Sequence, residues 1–328
     1  MLTHGHEERG LCRRANLPLQ SINVALSGSG SHAAFGWGIL DKLLEDGRFM
    51  IEGIAASGAN AMNAAILAYG GMKSGPDLVR KDLETLWRGV SRFGDWENAF
   101  SPSAEGRARP MAELLDSLVG FGELRRCRST SLFVQAMNAC TGQARLFTSR
   151  QITVETVLAS SCLPGSPPVS IEDEHHWDGS SSGLSILEPL MACATSPDLL
   201  IGRISAVGNR KIPTDPCQTQ ARAAEIAAIN AMERDIRGLA AHLPRSGCDW
   251  FHSDPHRAFQ ALHVHRIESR NVMSDLAPAT RSDVRWPLLT KLRDMGRLAT
   301  EIWLQGNFRE LAIGPVIAAP VALEGRPC

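Results

Sequence analysis

Apolar and polar positions along this chain follow two rhythms, and the rhythm changes from segment to segment. Ile22–Leu26 (Ile-Asn-Val-Ala-Leu) is a short apolar run cut off by Ser27-Gly28-Ser29-Gly30-Ser31, the pattern of a buried strand ending in a loop. Phe35, Ile39, Leu40, Leu43 and Leu44 then recur at helical spacing between His32 and Glu45, and Gly47 supplies a C-cap. Ile51–Ile54 predicts a second strand, and a helix follows from about Ala59 to Tyr69, before Gly70-Gly71. Strand, glycine loop, helix, strand, tight turn, helix is the opening of a parallel α/β sheet.

Further on, Leu78, Leu83, Leu86 and Trp87 predict a helix over Asp77–Val90, while Phe93–Pro110, rich in Gly, Ser and Pro, reads as a surface excursion. Leu132–Asn138 and Ala144–Phe147 are adjacent strands turned by Thr141-Gly142. Val154–Ser161 is a short helix ending at Leu163-Pro164, and His175–Gly183 reads as a loop with His175 and His176 exposed. Leu199–Val207 is another strand. In the last third, Ile226, Ile229, Met232, Ile236 and Leu239 stripe a helix over Ala221–Leu239, and Ala261–Ile267 alternates around His263 and His265 as an edge strand does. Leu288, Leu292, Met295, Ala299 and Ile302 make a second helical stripe between Trp286 and Trp303. Both stripes are expected to pack on the main domain rather than on a membrane or partner. The resulting division is a flexible N-terminal arm over 1–19, a main domain over 20–210, and a helical C-terminal extension over 211–328 packed on it.

Composition narrows the class. A chain of 328 residues with net charge -1 is large enough for one α/β domain with a helical appendage and carries no basic excess for nucleic acid. No run of 18 apolar residues occurs, so no membrane span is expected, and a polar N-terminus without an apolar stretch points to a cytoplasmic protein. The eight cysteines lack Cys-x-x-Cys spacing and no His or Cys cluster has ligand spacing, so neither a metal nor a cofactor is expected; Asp254-x-His256 and His263-x-His265 are read as structural.

Three stretches could carry chemistry. The loop Gly28-Ser29-Gly30-Ser31-His32 lies between strand and helix, where free backbone N–H groups stabilise an anion, either a phosphate or the oxyanion of ester hydrolysis. As a dinucleotide fingerprint it is partial, since no acidic residue ends the second strand. Ile51–Ala65 reads as strand, sharp turn and helix, with Ala55, Ala56, Ser57, Gly58, Ala59 and Asn60 all small enough for the strained turn that mounts a hydrolase nucleophile. Trp177-Asp178-Gly179-Ser180 follows an apolar, proline-rich stretch at Leu163–Val169. His32 is read as a packing residue, and Cys162, without a paired histidine, as a small buried hydrophobe.

Taken in order, these stretches resemble the patatin-like phospholipases, lipid acyl hydrolases that work with a Ser–Asp dyad. Gly28–Gly38 resembles the oxyanion loop, Ile51–Ala65 the elbow, Val157–Pro168 with Trp177–Pro189 the stretch holding the dyad aspartate, and Leu288–Leu304 the C-terminal part of bacterial members. The resemblance implies a three-layer α/β fold with a largely parallel central sheet and helical C-terminal additions. It implies Asp178 as base, Gly28, Ser29 and Gly30 lining the oxyanion hole, and a lipid or acyl-ester ligand, which leaves peripheral membrane contact open. Ser29 and Ala33 stand where that loop usually has glycine. The nucleophile does not carry over: the gapless register puts Gly58 at the serine position, with Ala56 and Asn60 where two glycines belong, and Ser57 falls one residue early. The leading expectation is a family member with catalysis lost or impaired and a retained acyl-binding pocket. The alternatives are an active ester hydrolase using Ser57 with Asp178 in a slipped elbow, or a phosphate or nucleotide binder using the Gly28–Gly30 loop.

Overall fold

In a computed structural model of the chain, residues 19–101, 109–182, 187–204, 216–241, 263–268 and 278–307 are described. The elements are β1 (Gln20–Gly28), α1 (Ala34–Asp46), β2 (Phe49–Gly58), α2 (Asn60–Lys73), α3 (Pro76–Val90), α4 (Trp96–Phe100), α5 (Pro110–Leu118), α6 (Phe121–Leu124), β3 (Ser131–Asn138), β4 (Ala144–Thr148), α7 (Val154–Ser161), β5 (Val169–Ile171), β6 (Glu174–Asp178), α8 (Leu187–Cys193), β7 (Asp198–Arg203), α9 (Pro216–Ala241), β8 (His263–Glu268) and α10 (Trp286–Asn307). The eight strands form one sheet in the order β5-β6-β3-β2-β1-β7-β8, with β4 also paired to β3. The run β3-β2-β1-β7-β8 is parallel throughout, while β4, β5 and β6 add antiparallel pairs on the β3 side.

Period-two burial divides the helices between the two faces. Val24 and Leu26 of β1 and Ile54 and Ala56 of β2 face one core, shared with α1, α2, α3 and the rings of Trp37, Trp87, Trp96 and Phe100. Ala25 and Ala55 face the other, where Leu187, Leu190 and Met191 of α8 and Met232 and Ile236 of α9 cover the sheet. The protein is therefore a three-layer α/β fold with a largely parallel central sheet.

The Leu288–Leu304 stretch is held by close approach. A Cβ on Gly38 of α1 would stand 2.0 Å from the Arg293 carbonyl oxygen, and one on Gly296 of α10 would stand 2.2 Å from the Phe35 carbonyl oxygen. Only glycine on both helices lets α10 lie against α1 so tightly. Arg297 then ion-pairs with Asp41 and, at 2.7 Å, with Glu45, and the Arg293 guanidinium sits 5.0 Å over the Trp37 ring. Because α1 starts at the glycine loop, this contact fixes the loop from behind.

The structure adds α5, α6 and β5, which the sequence reading did not name, and corrects that reading in two further segments. The stretch beginning at Phe93 is no simple surface excursion: α4 buries Trp96 and Phe100, with Trp96 Nε1 donating to the Ser161 carbonyl at 3.1 Å. His175–Gly183 is not a loop throughout, since Glu174–Asp178 is β6, and His176 is fully buried rather than exposed. Its inward positions are His176 and Asp178, polar residues that hide a strand's alternation from an apolar-pattern search. Residues 1–18 of the 1–19 arm, and Asp254 and His256, lie outside the described residues.

Candidate active site

β2 runs to Gly58 and α2 starts at Asn60, so a single residue separates strand from helix. So abrupt a reversal puts Gly58 at φ +67°, the left-handed region where a side chain is strained. A Cβ at this position would stand 3.1 Å from Asp178 Oδ1 and 2.4 Å from the Gly28 carbonyl oxygen. The first distance aims position 58 at the carboxylate. The second says that backbone already fills the space a side chain would need. The Gly28 carbonyl is held there by the Ala59 N–H at 3.0 Å, a donor that follows the nucleophile position in an elbow and faces the oxyanion in a working one.

Ser57 shares the parity of Ala55 along β2, and its Oγ donates to Ser27 Oγ at 3.2 Å across the β1–β2 pair. That contact lies between the two strands, and the groups bonded to Asp178 are others.

Asp178 reaches the elbow through β3. It pairs with Ala136, whose other edge is already taken by Arg145 of β4, so β6 continues the β3 edge that β2 leaves at Ser57↔Gln135. Ser160 of α7 ties the junction, donating to the Gln135 carbonyl at 2.7 Å and the Gly58 carbonyl at 3.2 Å. Gln135 Nε2 in turn donates to the Gly179 carbonyl at 3.0 Å. Asp178 itself is 1% exposed. Its Oδ1 accepts from the Ser180 N–H at 2.7 Å, and its Oδ2 is buried without a partner among the described residues. Burial pushes this carboxyl above the ordinary range, against the pull of the Ser180 N–H, the Ser180 and Ser29 hydroxyls and the Arg281 charge.

The glycine loop enters a 3₁₀ turn at Gly30–Ala33 and is joined to the Asp-Gly turn by a 2.5 Å hydrogen bond between Ser29 Oγ and Ser180 Oγ. A second 3₁₀ turn, Pro278–Ser282, lies directly on it. Ser31 Oγ donates to the Thr280 carbonyl at 2.9 Å, and His32 Nε2 lies 2.8 Å from Thr280 Oγ1. A Cβ on Gly30, at φ +55°, would meet the Arg281 carbonyl oxygen at 2.2 Å. Burial, then the Arg281 charge, lowers the His32 pKa to about 3, so its imidazole is neutral and too weak a base to activate a nucleophile near neutral pH. Sequence patterns held no hint of Thr280 or Arg281, whose partners lie some 250 residues earlier in the chain.

The remaining candidates fall elsewhere or are inert. Asn60 Oδ1 accepts from Asn63 Nδ2 at 2.9 Å, and its amide fills the space beside Gly36 of α1. Burial raises the Cys162 thiol to about 11, which keeps it protonated and a poor nucleophile. His263 Nδ1 and His265 Nε2 share Asp198 Oδ1 at 2.9 and 3.3 Å, at the end of the sheet where β7 and β8 begin and away from the elbow.

Comparison with known proteins gives this arrangement a context. No curated protein matches the chain. Among solved structures, VipD from Legionella pneumophila aligns at 14% identity and TM-score 0.33, over 83% of this chain and 66% of that one. A chain from the complex of full-length SpcU with full-length ExoU, of the type III secretion system of Pseudomonas aeruginosa, aligns at 14% identity and TM-score 0.38, over 88% and 53%. The present chain thus spans between about half and two thirds of the length of these structures. The family model described as patatin-like phospholipase matches residues 24–188, a stretch that runs from β1 through the glycine loop, the elbow and Asp178 into α8. With just over half its length so matched, the chain belongs to the patatin-like phospholipase family.

Proposed function

We propose that this chain is a patatin-like protein that no longer hydrolyses esters and uses what remains of the site to hold a lipid or acyl-ester ligand. The observation that carries this reading is Gly58: it stands at the elbow with its missing side chain directed at Asp178, and the Gly28 carbonyl occupies the space that side chain would take. With no hydroxyl at 58 the dyad lacks its attacking oxygen, and the Ala59 N–H, which would face an oxyanion, is already taken by Gly28. Asp178 then has no proton to take from a nucleophile, and its burial serves the binding of a ligand head instead. The partner is expected to be lipid, as membership in the family suggests; no helix among the described residues is long and apolar enough to cross a membrane.

The test is turnover of short-chain aryl esters and of phospholipid vesicles. Unaltered protein is expected to hydrolyse neither faster than Asp178→Asn, and Ser57→Ala is expected to change nothing. Brisk hydrolysis abolished by Ser57→Ala would establish the slipped-elbow enzyme in its place.

A further inference from the structure

The turn at Pro278–Ser282 is tied to the glycine loop through Thr280, whose carbonyl accepts from Ser31 Oγ at 2.9 Å and whose Oγ1 lies 2.8 Å from His32 Nε2. On its other side Ser282 Oγ donates to Glu97 Oε1 at 2.5 Å, and Asp283 bridges to Asp95. Val284, fully buried, anchors the chain beyond, whereas Thr280, Arg281 and Ser282 are each half-buried. A segment held mainly by polar contacts opens at less cost than the core does. While the turn is down, the Arg281 carbonyl oxygen, 2.2 Å from where a Gly30 Cβ would be, leaves no room for a ligand atom on that side of Gly30. The closed position carries two costs. Arg281 Nε is buried without a partner among the described residues. His32, 9% exposed, is kept from taking a proton under the turn.

We propose that the Pro278–Ser282 turn is an acid-released latch: on acidification it lifts from His32 and uncovers the Gly30–His32 backbone. Such a latch acts on any ligand of the glycine loop, lipid or not, so it goes beyond the lipid-binding reading and does not depend on it. Burial, then the Arg281 charge, holds the His32 pKa down at about 3. Lifting the turn returns the imidazole to water and carries Arg281 away, so the pKa moves back toward its ordinary 6.5. The closed form therefore binds fewer protons than the open one. Closure has its full strength above about pH 6.5 and loses it as pH falls from there toward about 3. Between pH 7.5 and 5 the opening constant should rise by up to about thirtyfold.

The other charged groups around His32 are Arg281, Asp178 across the Ser29–Ser180 contact, Asp95 and Glu97 at α4, Asp283 at the end of the turn, and Arg293 of α10, which lies over Trp37. Arg285 holds the Asp283 carboxyl below its ordinary range, so it stays charged through this window. Burial holds Asp178 above that range, and a carboxyl so raised is linked with the opposite sign, since acid favours its buried form. Glu97 is separated from His32 by substitution.

Hydrogen exchange of the whole protein, read by mass spectrometry at pH 7.5 and pH 5 and corrected for the intrinsic rate at each, tests the latch. Peptides covering 29–33 and 278–285 are expected to lose protection by at least about tenfold and at most about thirtyfold, while β1 and β2 keep theirs. His32→Gln, whose amide can bond Thr280 but does not titrate, should remove the pH dependence, and Glu97→Gln should leave it. Equal protection at the two pH values, a loss that persists in His32→Gln, or a loss spread over the whole sheet overturns the latch. Should His32→Gln not fold, the pH profile of the unaltered protein decides: a loss setting in near pH 6.5 marks an imidazole, and one confined below about pH 5 marks a carboxylate and overturns the latch.

Discussion

At Gly58 the absence of a side chain is what the turn requires, since the Gly28 carbonyl oxygen lies 2.4 Å from where a Cβ would stand. Gly58→Ser places a hydroxyl beside Asp178 but drives a Cβ to 2.4 Å from the Gly28 carbonyl. The left-handed φ and the clash together should cost about 1–3 kcal/mol, read as a fall in Tm. Ester turnover should rise above the unaltered protein yet stay weak, because about 1 Å of misplacement costs on the order of a hundredfold. Full turnover with an unchanged Tm would mean that the Gly28 carbonyl is no obstacle. Asp178 is the opposite case, a group retained at a cost to the fold. Its folded pKa is raised by burial, so its contribution is fully present below the unfolded value of about 3.9 and is lost as pH rises through the folded pKa. Asp178→Asn should therefore raise Tm at neutral pH, by a few degrees for roughly 1 kcal/mol, and have little effect near pH 3. A Tm gain that does not shrink on acidification would point to packing rather than charge.

At the scale of elements, the α1–α10 crossing holds the glycine loop in place. Gly296→Ala brings a methyl to 2.2 Å from the Phe35 carbonyl and 3.1 Å from Gly38 Cα. The helices must part, at a cost of about 1–3 kcal/mol, against which alanine's helix propensity returns up to about 1 kcal/mol. Gly306→Ala on the same helix meets nothing within 4 Å and should stabilise slightly. Chemical denaturation of the two variants should give shifts of opposite sign; equal shifts would show that propensity and not the crossing governs α10. The short turn at Pro278–Ser282 acts on the same loop from its other side, through Thr280 and the Arg281 carbonyl.

In the whole molecule, the elbow and glycine loop lie at the carboxyl ends of adjacent central strands, where open parallel sheets gather their sites. The order of elements through α3 was legible in the sequence because each strand and helix there buries aliphatic residues at its own period, as in Ile22–Leu26 and Phe35–Leu44. The smallness of Ala55–Asn60 marked a tight turn for the same local reason: only small residues fit where backbone crosses backbone. β6 was illegible because its inward positions are His176 and Asp178, and α4 because five residues show no period. What tertiary structure alone decided is contact between distant segments. That β6 continues the β3 edge left by β2, setting Asp178 beside Gly58, follows from β4 holding the other edge. That the Gly28 carbonyl fills the space a side chain at 58 would need, and that Arg281 is laid on Gly30, depends on packing between segments up to some 250 residues apart. A sequence fixes its local periods through the backbone it is attached to; which backbones then meet is settled only when the sheet, α1 and α10 compete for the same space.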